Sequence, residues 1–258
     1  MKLLMIFLFV TLNVAAQTNG IKVQYEVFYN FENPMSREID LYFNEQKSYG
    51  IEKMNTSKEL GSPKETDKLS NLEQSESASN NIIEIKPNWK DVYLAVIKES
   101  NKLYKSEQDL KLGHFVTVED IPIINWSMTK ETKLINNLKC AKATAKFRGV
   151  IWEAWFTSEI PMSFGPWKLN GLPGLILEAK TSDSKVHYLA KNISYNINLP
   201  PFALPNKNIK PLKEYIQIID EAGNYEYATD RNTVVSLKSE TRNPLELIYE
   251  WEEEPKKE

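Results

Sequence analysis

The sequence is poor in the residues that most enzyme and metal sites require. It contains one cysteine, Cys140, and two histidines, His114 and His187. One cysteine cannot form an internal disulfide, so the fold must be stabilised by packing alone. The motifs of α/β-hydrolases, phosphate-binding loops, zinc helices and dinucleotide-binding folds are all absent. A metal site would need both histidines and distant carboxylates, so we expect neither a metal nor a cofactor.

An excess of basic residues and a long apolar run are also missing. The chain has 32 Lys and Arg against 35 Asp and Glu, and this balance argues against nucleic-acid binding. Its longest apolar run, Leu3 to Val14, is shorter than the roughly 20 residues of a membrane helix. The basic start before this run and the small residues after it predict a signal peptide at residues 1–16. We therefore expect a soluble, exported protein, periplasmic or secreted, without stable membrane insertion.

The remaining chain is long enough for one substantial core, so residues 17–251 are predicted to form a single β-rich domain. Residues 55–81 are almost wholly polar and cannot bury enough apolar surface to order themselves, which predicts a mobile loop. The alternative for this stretch is a lid or a docking loop. Residues 252–258 are predicted to be a charged, disordered tail.

Alternating apolar and polar residues predict strands along most of the domain. The pattern is clearest from Val23 to Phe31, where every second residue is Val, Tyr or Phe, and it continues from Ile39 to Phe43. Short strands separated by turn residues, without intervening helices, favour an antiparallel meander. The fold class is therefore predicted as mainly β with minor α, a curved, half-barrel-like antiparallel sheet with at least one packed helix.

The pattern changes near the end of the chain. After Pro211, apolar residues at 212, 215, 216 and 219 follow the spacing of one helix face, which predicts a helix packed on the sheet. Alternating apolar residues from Leu245 to Trp251 predict one further strand.

A glycine- and proline-rich stretch between residues 165 and 176 predicts a shaped turn. In Leu172 to Leu175 the proline and the glycine occupy the positions that a type II turn prefers, followed by a strand. The residues assigned to this turn motif are Gly165, Pro166, Gly171, Pro173 and Gly174.

The same region carries a family resemblance. The stretch from Cys140 through Phe147-Arg148-Gly149 to Gly171-Leu172-Pro173-Gly174-Leu175-Ile176 resembles the GLPGLI family of Bacteroidota exported proteins, named after that hexapeptide. The resemblance covers about forty residues densely and fits the rest in outline. Phe156 and Val150 depart mildly from the family pattern. The resemblance implies export but no particular activity, since no activity is established for the family.

Cys140 begins a predicted strand in which Lys142, Lys146 and Arg148 share its face. Neighbouring cations would favour the thiolate and make Cys140 a candidate reactive thiol, with a histidine as its base. The alternative is that the cations cover a solvated face and that Cys140 is a small packed residue.

Aromatic residues are concentrated just before the turn motif. Both faces of the predicted strand at residues 150–157 carry tryptophan, so one indole either lines a concavity or is covered by another layer. The candidate ligand-binding residues are Trp152, Trp155, Trp167, Leu172 and Leu175. Core filling is the alternative role.

These patterns favour a binding protein. The primary hypothesis is a non-catalytic periplasmic binding or carrier module for an apolar small molecule, held by a partly closed sheet. The alternative is an interaction module that adds a strand from an outer-membrane receptor or a secreted peptide. A thiol enzyme that uses Cys140 is the third hypothesis.

Overall fold

A large β-sheet dominates the computed structural model, which describes residues 19–53, 92–109, 113–204, 208–221, 225–228, 234–237 and 242–252. The strands of this sheet are β1 (Asn19–Tyr29), β2 (Met35–Phe43), β3 (Lys47–Lys53), β4 (Val92–Ile97), β5 (Lys102–Asp109), β6 (Gly113–Asp120), β7 (Ser127–Ile135), β8 (Leu138–Phe147), β9 (Val150–Thr157), β10 (Leu175–Thr181), β11 (Val186–Asn198) and β12 (Ile209–Pro211). Helix α1 (Leu212–Glu221) and the hairpin of β13 (Tyr225–Ala228) and β14 (Val234–Leu237) follow. The predicted loop at 55–81 and the tail beyond residue 252 lie outside the described residues.

The strand order in the sheet is β12-β6-β5-β4-β3-β2-β1-β11-β10-β9-β8-β7. Neighbours in the chain are mostly neighbours in the sheet, as in a meander. Strand β1 pairs antiparallel with both β2 and β11 and so joins the two halves. The short β12 is parallel to β6. The prediction of a mainly β fold built on an antiparallel sheet with minor α is confirmed.

The predicted alternation determines which face of each strand is buried. On β1, Val23, Tyr25 and Val27 are buried, and they face Ile39 and Leu41 of β2 across the same side of the sheet. These inward residues belong to one hydrophobic core that includes side chains from β1, β2, β4, β5 and β7 to β11.

The sheet is strongly curled. Strands β6 and β9 are eight positions apart, and in a flat sheet they would be about 38 Å from each other. However, Glu119 of β6 accepts a hydrogen bond at 3.4 Å from Arg148, which lies in the turn between β8 and β9. Such a contact requires the two halves to bend toward each other, giving an open half-barrel.

The chain between β9 and β10 fills the inside of this curl. We call residues 158–174 the interior segment. Its Phe164 contacts Phe43 of β2, with ring centroids 5.7 Å apart, and the backbone N–H of Trp167 donates to the Tyr93 hydroxyl at 3.2 Å. The Trp167 ring also stacks on Trp152 of β9, with ring centroids 5.5 Å apart. The interior segment therefore contacts both halves of the sheet and is a core layer rather than a surface loop.

Helix α1 confirms the predicted helical spacing. Its buried residues are Leu212, Tyr215, Ile216 and Ile219. They pack against Phe115 of β6 and Tyr249 near the C-terminal end. None of the helices in the described ranges is both long and apolar enough to span a membrane.

The predicted strand from Leu245 to Trp251 is wrong. Residues 242–252 form turns and bends, and the backbone N–H of Leu247 donates to Arg148 O at 2.9 Å. Apolar alternation indicates a strand only if a neighbouring strand is available to pair. Here Glu246, between two apolar residues, is also buried, so the segment does not have a solvent face and a core face.

The turn at Pro173 differs from a type II turn. The Gly174 N–H donates to Leu172 O at 2.8 Å, which closes a three-residue turn centred on Pro173. The φ angle of Gly174 is 155°, far from the value near 80° that a type II turn has at this position. The glycine instead permits a close backbone approach, because a Cβ there would lie 2.1 Å from Thr157 O.

Candidate functional site

Four of the five predicted ligand-binding residues are buried in the core. They are Trp152, Trp167, Leu172 and Leu175. Trp152 stacks on Trp167 with ring centroids 5.5 Å apart, and Tyr188 lies at 6.3 Å from the Trp152 ring. The interior segment therefore occupies the concave space that the primary hypothesis reserves for a ligand.

Trp155 lies on the opposite, outer face of the sheet. It is half-buried beneath Lys133, whose Nζ is 4.3 Å from the ring centroid. Lys133 also pairs with Glu178, whose Oε1 lies 3.2 Å from His187 Nε2. The structure thus separates Trp155 from the other four predicted residues.

Cys140 is fully buried in β8, where its Sγ is 3.6 Å from Leu138 O. Burial raises the pKa of the thiol to about 11, although a backbone hydrogen bond and the charge of Lys133 act in the opposite direction. The thiol is therefore protonated at neutral pH, which corresponds to the small packed residue of the second interpretation.

We expect Cys140 to resist modification in the folded protein. A raised pKa and full burial both reduce the concentration of accessible thiolate, so 5,5′-dithiobis(2-nitrobenzoate) should react at least about a hundredfold more slowly than in denaturant. The measurement is absorbance of the released thiolate with and without urea. Equal rates under both conditions would contradict the buried placement.

The two histidines lie on different strands. His114 of β6 has its Nε2 2.8 Å from Ser106 Oγ, and His187 belongs to β11. His187 is three strand positions from β8, which carries Cys140, and its Nε2 lies 3.2 Å from Glu178 Oε1. The structure does not bring these two residues together with Cys140.

A buried group of charges that the sequence patterns did not reveal lies at the open side of the half-barrel. It consists of Glu119 of β6, Arg148, Lys168 of the interior segment and Glu246, and we call it the ion cluster. Lys168 Nζ donates to Glu119 Oε1 at 2.6 Å and to Glu246 Oε1 at 2.7 Å. Arg148 pairs with both carboxylates as well, and with the more exposed Glu250 at 3.0 Å.

Local backbone geometry positions Arg148 for this role. Arg148 and Gly149 have φ angles of 49° and 83°, which form the two-residue turn of the β8–β9 hairpin. A non-glycine residue in this region is strained, so the arginine must be retained by its contacts. Its guanidinium lies 5.1 Å from the Phe147 ring and 4.9 Å from the Tyr249 ring.

Opposite charges in the ion cluster stabilise one another in their charged forms. Burial lowers the pKa of Lys168, but Glu246 and Glu119 outweigh this effect and raise the pKa above its usual value. Burial likewise raises the pKa of Glu246, whereas Lys168 and Arg148 bring it below its usual value. The ion cluster therefore joins four distant parts of the chain by paired charges with low exposure.

The hairpin sequence contained a signal for this arrangement. Phe147-Arg148-Gly149-Val150 between two alternating runs is typical of a two-residue hairpin, which removes Arg148 from the solvated strand face with Lys142 and Lys146. The partners of Arg148 have no such signal, because Glu119 and Glu246 meet it only through the curl of the sheet.

Two adjoining clefts open where the strands turn at one end of the half-barrel. Cleft A, of about 810 Å³, is lined by Tyr29, Asn30, Phe31, Glu32, Asn33, Met35, Arg37 and Lys185. Cleft B, of about 270 Å³, is lined by Phe31, Gly149, Val150, Ile151, Thr181, Ser182, Asp183, Lys185, Pro244, Leu245 and Leu247. Phe31 and Lys185 belong to both clefts, so the two meet there.

Comparison with known families gives a match in the middle of the chain. A family described as a protein of unknown function, Porph_ging, matches residues 147–178. This range contains Arg148, Lys168 and the turn at Pro173. The matched region therefore includes β9, the interior segment and two members of the ion cluster.

Comparison with known proteins adds a likeness of fold. The structure of PNGF-II in the P21 space group is 17% identical, with a TM-score of 0.53, and the match covers 81% of this chain and 34% of that one. PNGF-II in the C2 space group is 15% identical, with a TM-score of 0.49, and the match covers 83% of this chain and 35% of that one. No curated protein matches. The chain thus spans about a third of the length of PNGF-II and shares with it a β fold.

Proposed function

We propose that the protein is an exported, non-catalytic binding module of the GLPGLI type that holds a small apolar ligand in cleft A. The observation that supports this proposal is the cleft itself, an open depression of about 810 Å³ whose lining surface is mostly apolar. Its walls include Tyr29, Phe31 and Met35, and its rim carries Arg37 and Lys185.

The geometry of cleft A fits recognition of an apolar body. The Tyr29 and Phe31 rings are stacked with centroids 6.4 Å apart, and together they form an aromatic wall. Arg37 lies 5.9 Å from the Tyr29 ring and pairs with Glu52 at 2.8 Å. Rigid aromatic walls with a few fixed polar groups are the usual composition of a small-molecule site.

The interior segment fills the concave face of the sheet, and this supports cleft A rather than the concave face as the ligand site. Phe164, Trp167 and Leu172 of the interior segment are almost completely buried, and close packing leaves no room beside them without moving the core. The protonated, buried state of Cys140, with its raised pKa, supports a binding role over thiol catalysis.

Native mass spectrometry of the gently purified protein, expressed with residues 1–16, tests this proposal. Removal of these residues should give a mass that begins at Gln17, as expected for an exported protein. A stoichiometric apolar adduct, recovered by organic extraction, would support the binding role. An intact N-terminus would contradict export, and failure to bind any apolar probe would contradict the binding role.

We expect Met35→Glu to weaken binding of the neutral apolar dye N-phenyl-1-naphthylamine by about tenfold or more, because a carboxylate would be desolvated against the ligand. Met35 is 46% exposed, so the fold should tolerate the change. Leu134→Glu is the matched control, since Leu134 is 71% exposed on β7, away from cleft A. Dye fluorescence titration gives both affinities, and equal weakening by the two variants would reject cleft A.

A second candidate function is strand addition by a protein partner. Strand β7 is at the edge of the large sheet, and its Met128 and Leu134 are exposed. An exposed edge with apolar side chains can accept an extended segment from another chain. Loss of a crosslinked periplasmic partner in Leu134→Glu but not in Met35→Glu would favour this function over the first.

A further inference from the structure

We propose that clefts A and B act as one elongated groove and that the ligand is a chain-like alkyl group running from one cleft into the other. This inference rests on the proposed function and assigns its ligand class. The clefts share Phe31 and Lys185, so they lie side by side and a ligand that passes these two side chains reaches from one cleft into the other.

Cleft B, the second half of the groove, has large apolar residues from two parts of the chain in its lining. Val150 and Ile151 of β9 and Leu245 and Leu247 of the C-terminal segment line cleft B, together with the polar residues of the turn at 181–183. Ile151 is 53% exposed and Leu247 is 50% exposed, although both are large apolar residues. Covering them with an alkyl chain would remove this apolar surface from water.

The ion cluster positions part of this lining. Glu246 lies between Leu245 and Leu247, and its carboxylate is bound by Arg148 and Lys168. Arg148 O also accepts backbone hydrogen bonds from Leu247 at 2.9 Å and from Ile248 at 3.3 Å. The lining residues Leu245 and Leu247 are therefore held next to the β8–β9 hairpin turn, which also lines cleft B.

Backbone hydrogen bonding along the groove favours an alkyl chain over a peptide. Asn30 N donates to Lys185 O at 2.7 Å, and Ser182 N donates to Ile151 O at 2.9 Å. These N–H groups are already paired and cannot donate to a bound backbone. An extended peptide would have to desolvate its own amides without gaining these partners, whereas an alkyl chain has no amide groups.

The test is displacement of N-phenyl-1-naphthylamine by octanol, decanol, dodecanol and tetradecanol. In the unmodified protein, affinity should continue to rise along this series, by at most about fourfold for each methylene group buried. Ile151→Asp and Leu247→Asp should remove the gain for the longer alcohols and leave octanol binding unchanged. Leu134→Asp on β7 is the control and should leave the whole series unchanged.

The outcomes separate this inference from the proposed function. If no alcohol displaces the dye and the dye itself does not bind, the binding role of cleft A fails. The elongated groove is rejected if octanol binds but affinity does not rise with alcohol length. It is also rejected if Ile151→Asp and Leu247→Asp weaken binding of all alcohols equally. In either case cleft A alone would be the ligand site. Stronger displacement by an extended apolar peptide than by tetradecanol would overturn the alkyl assignment.

Discussion

Lys168→Met is expected to lower the free energy of unfolding by about 3–5 kcal/mol, the usual effect of removing one partner from a buried ion pair. Methionine has a similar length, so the change removes the charge with little loss of volume. Glu119 and Glu246 would then both depend on Arg148 as their ion-pair partner within the cluster, in an environment of low exposure. Urea unfolding followed by tryptophan fluorescence measures the change.

A double variant distinguishes lost charge balance from lost packing. Lys168→Met combined with Glu246→Gln leaves one cation, Arg148, facing Glu119, so the buried charges balance again. We expect the double variant to be more stable than Lys168→Met alone. Lys130→Met on the exposed edge strand is the control and should change stability by no more than about 0.5 kcal/mol. If the double variant is less stable than the single one, charge balance does not explain the effect.

The pH dependence of Lys168→Met has a definite sign. In the unmodified protein the pKa of Glu246 is lowered by Lys168 and Arg148 against the effect of burial, so its stabilising contribution is present above its usual pKa and is lost as the pH falls. Without Lys168, burial is less compensated and the pKa of Glu246 rises. Protonation of Glu246 at low pH then removes the poorly compensated buried charge from the variant. The loss in free energy of unfolding, relative to the unmodified protein, should therefore be smaller at about pH 5 than at about pH 8.

Strand periodicity predicted most of the sheet because it reflects local geometry. Successive side chains on a strand point to opposite faces, so Val23, Tyr25 and Val27 had to share one face wherever the strand was placed. Helix α1 was predictable for the same reason, with a different period. The strand predicted at residues 245–251 failed because alternation does not show whether a pairing partner exists.

The candidate sites were less predictable because they depend on long-range placement. The concentration of tryptophans before the turn motif indicates an aromatic cluster, but not that residues 158–174 enter the half-barrel and bury Trp152 and Trp167. The ion cluster depends on the curl that brings Glu119 to Arg148 across eight strand positions. Cleft A lies at the turn between β1 and β2, and the alternation that includes Tyr29 and Phe31 does not show that this turn meets Lys185 of the β10–β11 turn.

The glycines of the turn motif have different structural roles. Gly174 approaches the backbone of Thr157 so closely that a Cβ would lie 2.1 Å from its carbonyl oxygen. Gly171 has a φ angle of 88°, yet the nearest atom to a Cβ there is 3.9 Å away, on Trp126. Position 174 therefore requires glycine because there is no space for a Cβ, and position 171 requires it mainly for its backbone conformation.

Gly174→Val should consequently destabilise the protein by about 3 kcal/mol or more, since backbone overlap cannot be relieved by a side-chain rotation. Gly174→Ala should have most of this effect, because its Cβ alone meets Thr157. Gly171→Ala is the matched control in the same motif. Its Cβ meets no close contact, so it should lower the free energy of unfolding by about 1 kcal/mol, through the left-handed backbone alone. Thermal and urea unfolding give the ranking. Similar losses at both positions would show that φ, and not the approach to β9, determines the need for glycine at Gly174.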